Sequence, residues 1–84
     1  MLLHDRMILI TECELKESGS NKIVEVTFLD LEDGKTYQVK TKNLDLLPQL
    51  NCKLNKLKAT LELAPANGKL ELLFTDNIEN LGRV

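Results

Sequence analysis

Five runs of alternating apolar and polar residues, two glycine turns and one proline-interrupted stretch predict an all-β fold for this 84-residue chain. The turns are Asp33-Gly34 and Asn67-Gly68, each between strand-like runs, where a tight hairpin needs residues that tolerate positive φ. The proline falls between the third and fourth runs. Strand, strand, strand, short helical plug, strand, strand is the order of a five-stranded, OB-fold-like small barrel. Closing such a sheet also hides edges that an open one leaves bare. The length allows one domain, residues 1–84, with one small core. Phe28, Tyr37 and Phe74 are its only aromatics, so Leu, Ile and Val must fill the interior.

In residues 7–16, Met7, Leu9, Thr11, Cys13 and Leu15 share one face of a strand, and Ile8, Ile10, Glu12 and Glu14 the other. Apolar residues on both faces at its start predict cover on both sides there. The residues ahead of it read as a frayed tail that holds the single histidine, His4. Residues 17–21 form a loop by composition. Residues 22–31 are rich in β-branched side chains, which suit a pleated surface, with Val24, Val26 and Phe28 on one face. Asp33-Gly34 then predicts a type I′ turn.

The returning strand, residues 35–42, sets Tyr37, Val39 and Thr41 against Thr36, Gln38, Lys40 and Lys42. Asn43 is placed to cap one helical turn and Pro48 to oppose its continuation, with Leu44, Leu47 and Leu50 as the plug. In residues 53–63, Leu57, Ala59, Leu61 and Leu63 alternate with Lys56, Lys58, Thr60 and Glu62. Leu54 is out of that phase, which predicts a bulge near Asn55. Leu50, Leu54, Leu57 and Leu61 also have helical spacing, but Thr60 and the following Asn67-Gly68 turn favour a strand. Residues 64–68 make the second hairpin tip. Leu70, Leu72 and Phe74 return inward, and residues 76–84 form a polar closing segment whose Ile78 and Leu81 can pack on the barrel.

Cys13 and Cys52 are too few for a disulfide scaffold and read as free thiols. The chain start lacks the order of a secretory signal, and no stretch reaches the roughly 18 apolar residues of a membrane span. A cytoplasmic protein is expected. Nothing in the chain sets a base beside a nucleophile, and there is no glycine-rich phosphate loop, so no catalytic residue and no cofactor is assigned. Asp30, Glu32 and Asp33 cluster at a hairpin and read as solvated turn residues, so no metal is assigned either.

Charge is the sharper signal. Residues 35–58 hold six lysines (Lys35, Lys40, Lys42, Lys53, Lys56 and Lys58) against one acid, Asp45, in a chain whose formal charge is −2. The lysines of the third and fourth strands alternate, so their ammonium groups point the same way, and the two strands are expected to share a groove. A groove of that kind tracks a phosphate backbone. Tyr37 has two readings, an exposed ring for base stacking or a ring packed inward beside Val39. The expected partner is single-stranded nucleic acid, bound by lysine–phosphate pairing with sparse stacking.

The stretch VTFLDLEDGKTYQVKTKN, residues 26–43, resembles the central hairpin of the filamentous-phage gene-five type of helix-destabilising protein. The likeness lies in a strand ending hydrophobic-Asp-Leu, a tight turn, a Tyr opening the next strand and a Lys at its end. It implies an OB-like chain that binds single-stranded DNA as a cooperative homodimer. Tyr37 is then the stacking ring, Lys42 a phosphate contact and the second hairpin, residues 57–74, the dimer wing. The alternative class is a small barrel that dimerises or docks a protein partner through Leu29, Leu31 and Leu73, which lie on faces opposite the expected core.

Overall fold

The computed structural model describes residues 1–83, the side chains of Ser18 and Ala66 excepted. Its strands are β1 (Leu2–Ser18), β2 (Asn21–Asp30), β3 (Thr36–Thr41), β4 (Asn55–Ala66) and β5 (Lys69–Arg83). A 3₁₀ turn, Leu44–Leu46, and the single-turn helix α1, Leu47–Leu50, lie between β3 and β4. All pairings are antiparallel in one sheet of order β3-β2-β1-β4-β5. The sheet curls until β3 and β5 touch, with no ladder between them, so the five-stranded barrel-like fold is present with one seam unzipped.

The core draws on every strand and on the plug. Ile8, Ile10, Val24, Val26, Phe28 and Leu57 are fully buried, with Val39 and Leu61 at 1% exposure. Burying a Val, Leu, Ile or Phe is worth roughly 1.5–3 kcal/mol each, which is what holds so small a sheet. The helix alternative for residues 53–63 falls here, because Leu57, Ala59 and Leu61 alternate into this core from an extended β4.

Several boundaries differ from those the sequence suggests, each for a local reason. The first strand begins at Leu2, not Met7, because Leu2 and Leu3 pair with Glu62 and Leu61 of β4. His4 therefore lies in a strand and not in a frayed tail. Two bulges in β1 then reset its phase. One lies between Leu3 and Arg6, where Asp5 takes φ 52°; the other lies between Ile10 and Glu12. The second turns Cys13 to the same side as Ile8 and Ile10, so the two-face alternation read from the sequence does not hold across Thr11. The loop expected at residues 17–21 shrinks to Gly19-Ser20, with Gly19 at φ 61°.

The first hairpin turn is not type I′. Gly34 N–H donates to Asp30 O at 2.8 Å, an α-turn in which Gly34 alone takes positive φ, 74°. The second turn is as read, with Asn67 at φ 51° and Gly68 at φ 78°. Asn43 caps the plug, accepting from Asp45 N–H at 3.1 Å. Pro48 sits in the first turn of α1, where a missing N–H costs nothing, and it opens the helix instead of stopping it. Because the plug changes from 3₁₀ to α, Leu46 and Leu50 are the buried pair; Leu44 is exposed and Leu47 half-buried.

The bulge expected near Asn55 appears as a register shift between Asn55 and Leu57, preceded by Leu54 at φ 68°. The expected closing segment is instead the far half of β5, paired with β4 from Ala59↔Ile78 to Asn55↔Arg83. Ile78 packs on the core, whereas Leu81 is exposed, and Val84 lies outside the described residues. Leu70 shares the inward face with Leu72 and Phe74 but is 67% exposed, because the β4–β5 hairpin runs past the end of the barrel.

Candidate nucleic-acid interface

Strand partners share a face, so the register places each lysine once the buried residues fix which face is inside. Val39 and Val26 are paired and buried, so Lys40, its partner Glu25 and Glu14 are on the outside. Ile8 and Leu57 are paired and buried, so Leu9 with Lys56, and Met7 with Lys58, are outside too. The outer wall thus carries lysines on β4 and on β3. They do not share a trough between neighbouring strands, because β2 and β1 lie between β3 and β4. β3 and β4 are consecutive in the chain but not neighbours in the sheet, so sequence density of charge does not carry over to spatial density.

The intervening strands bring acids with them. Lys40 stands 4.0 Å from Glu25, which also meets Lys16 at 3.2 Å and accepts from the Gln38 amide at 2.8 Å. Lys53 stands 3.6 Å from Glu12. Among the described residues Lys35, Lys42, Lys56 and Lys58 are in no ion pair. Lys35 is exposed at the tip of the first hairpin, near Asp33. Lys42 lines a hollow of about 430 Å³ over the β3–β5 seam, with Lys40, Ile23, Leu73 and Glu71. Lys56 and Lys58 are half-buried against the outer wall, Lys58 opposite Glu79 of β5.

Beside Lys56 and Lys58 the outer wall is apolar. Leu9 and Leu29 pair across β1 and β2, and Met7 lies next along β1; all three are half-buried on a face that has no second layer over it. Leu31 follows at 42% exposure, its N–H bonded to Met7 O. The sequence shows only half of this strip: phase marks Leu29 and Leu31, whereas only the β1–β2 register joins Met7 and Leu9 to them.

Tyr37 takes the inward of its two alternatives. Its ring centroid is 5.8 Å from that of Phe28, which in turn is 5.7 Å from Phe74, so the three aromatics form one internal row. The Tyr37 hydroxyl donates to Asp33 at 2.5 Å. That bond holds Asp33 below its ordinary value of 3.8 and lifts Tyr37 above its ordinary 10.0. The lowered Asp33 contributes stability that is full above its unfolded value and is lost as pH falls through the folded one. The raised Tyr37 contributes stability that is full below pH 10 and is lost as pH rises through its higher folded value. Tyr37→Phe is therefore expected to lower the neutral plateau of a stability–pH curve and to flatten both limbs, with the least change at the two extremes of pH. Urea midpoints measured between pH 3 and pH 11 check it, and unchanged limbs would show that the bond is idle.

At the same end of the barrel, Asp30 departs from its reading as a solvated turn residue. It is 3% exposed, and its Oδ2 accepts from Arg6 Nη2 at 2.7 Å and from Arg6 Nε at 3.1 Å. Its Oδ1 accepts from Glu32 N–H at 2.8 Å and Asp33 N–H at 3.2 Å. Asp30 is thus the internal brace of the first hairpin. Among the described residues no helix is long and apolar enough to cross a membrane. Comparison with protein-family models, with curated proteins and with solved structures finds no match to this chain.

Proposed function

We propose that this protein is a non-catalytic binder of single-stranded nucleic acid, DNA in the first instance, that engages the outer wall of the barrel. The observation that carries the reading is the strip of Met7, Leu9 and Leu29 on an uncovered sheet face, beside the unpaired ammonium groups of Lys56 and Lys58. Bases lie on the apolar side chains, and phosphates meet Lys56 and Lys58 on β4, with Lys40 and Lys42 on the far side at β3. Glu12, Glu14 and Glu25 repel phosphate and confine the strand to this part of the wall. With all three aromatics turned inward, ring stacking contributes little, so affinity rests mainly on charge.

Titration of labelled oligo-dT at several salt concentrations tests this. For three phosphates neutralised, the log–log slope is expected near −2, and Lys56→Glu with Lys58→Glu flattens it by about 1.4. No binding at high micromolar protein in low salt removes the reading. The second reading, a module that forms a homodimer or docks a protein, is favoured by one observation: Leu31 is exposed at the end of the same apolar strip. If Leu31→Lys dissolves an assembly seen by size-exclusion chromatography while the two lysine substitutions leave oligo-dT behaviour unchanged, the second reading stands.

A further inference from the structure

The outer wall takes no part in one remaining cluster, the two thiols. The β1–β4 ladder ends at Leu9↔Lys56; past it, the bulge between Ile10 and Glu12 turns Cys13 to the inner side, and Cys52 lies in the turn ahead of β4, where Asn55 N–H donates to Cys52 O at 2.9 Å. Two contacts show that the segments stay together beyond the ladder. Leu54 N–H donates to Ile10 O at 2.7 Å, and the Glu12 carboxylate meets the Lys53 ammonium at 3.6 Å. Both cysteines pack their side chains against the same core cluster, both are free, and both are half-buried, within reach of a small oxidant. Cys52 Sγ also donates to Gln49 O at 3.1 Å, which ties its thiol to the helical plug.

We propose that Cys13 and Cys52 are a modification site: a pair of thiols across the β1–plug junction that closes as an intramolecular disulfide when met by a small disulfide such as oxidised glutathione. In the first step one cysteine thiolate attacks a glutathione sulfur, forming a mixed disulfide and expelling one glutathione thiolate. The second cysteine, as thiolate, then attacks the protein-bound sulfur and expels the other. The two cysteines together lose two protons and two electrons, and one oxidised glutathione becomes two reduced ones. The bond staples the plug to β1 and fixes the segment that carries Lys53.

Burial pushes both thiols above their ordinary value, with the nearness of Cys52 a second cause at Cys13. Attack therefore runs through a small thiolate fraction and speeds up about tenfold per pH unit below that value. The test is intact-mass analysis of the reduced full chain after incubation with oxidised glutathione at several pH values. The expected product has lost the mass of two hydrogens, carries no glutathione, runs as a monomer without reductant and unfolds about 10 °C or more higher. Cys13→Ser and Cys52→Ser should each stop at a single stable glutathione adduct. Two adducts on the unmodified chain, disulfide-linked dimers, or thiols that remain free throughout would each overturn the proposal.

Discussion

Phe28→Ala is expected to lower the free energy of unfolding by about 3–5 kcal/mol, the usual cost of emptying a fully buried aromatic site. A domain of 84 residues has about 4–13 kcal/mol in total, so the variant sits near the edge of folding. The site is more than one large side chain. Phe28 on β2 lies between Tyr37 on β3 and Phe74 on β5, and those two strands meet without a ladder. The aromatic row does across that seam what backbone hydrogen bonds do elsewhere in the sheet, so its centre cannot be removed and locally repaired. Phe28→Leu keeps most of the apolar volume and should cost about 1–2 kcal/mol. Urea unfolding followed by circular dichroism measures both, and no loss in Phe28→Leu would mean that the ring contacts across the seam contribute nothing beyond volume.

Asp30→Ala should cost about 2–4 kcal/mol. The substitution strips Arg6 of its partner and leaves the N–H groups of Glu32 and Asp33 without their acceptor. Breaking a buried ion pair from one side costs about 3–5 kcal/mol, but Arg6 is 26% exposed and re-enters water, which moves the figure down. Asp30→Asn keeps the oxygen that holds the turn and loses the charge, so it should fall between Ala and the native residue. The double variant Arg6→Ala with Asp30→Ala should cost less than the two single changes added, because the orphaned charge is gone. Strict additivity in the same unfolding experiment would mean the two groups do not act as a pair.

The buried brace and the seam belong to the part of this protein that its sequence conceals. Element order was open to reading, since period-two alternation marks β2, β3 and β4 and Asn67-Gly68 marks a turn by chemistry alone. The helical plug announced itself through Asn43 and Pro48, although its 3₁₀ start shifted the buried positions to Leu46 and Leu50. The bulges in β1 were hidden because a one-residue slip leaves composition unchanged while turning every later side chain over. Asp30 looked like any polar residue beside a turn, because only the fold brings Arg6 to it from 24 positions away.

The candidate site suffered most from topology. Lys40 and Lys42 are close in the chain to Lys53, Lys56 and Lys58, yet β2 and β1 are threaded between them with Glu25, Glu14 and Glu12. What local pattern could report was the outward phase of each lysine, and the register agrees with it for Lys40, Lys56 and Lys58. What it could not report was which acids would stand alongside.

The order β3-β2-β1-β4-β5 makes β1 the only strand that belongs to both halves of the sheet. The hairpins on either side of it are local and close over short turns, whereas the β1–β4 boundary joins Leu2 to Glu62 and must shut a loop that spans most of the polypeptide. Loop closure of that length is the slow, entropically costly event in assembly, and nothing earlier can substitute for it. On a ribosome the opening residues must therefore wait, with Leu2, Leu3 and Ile8 bare, until the partner strand has been synthesised and released. The interval between those two moments is when this chain is most exposed to self-adhesion and to proteolysis.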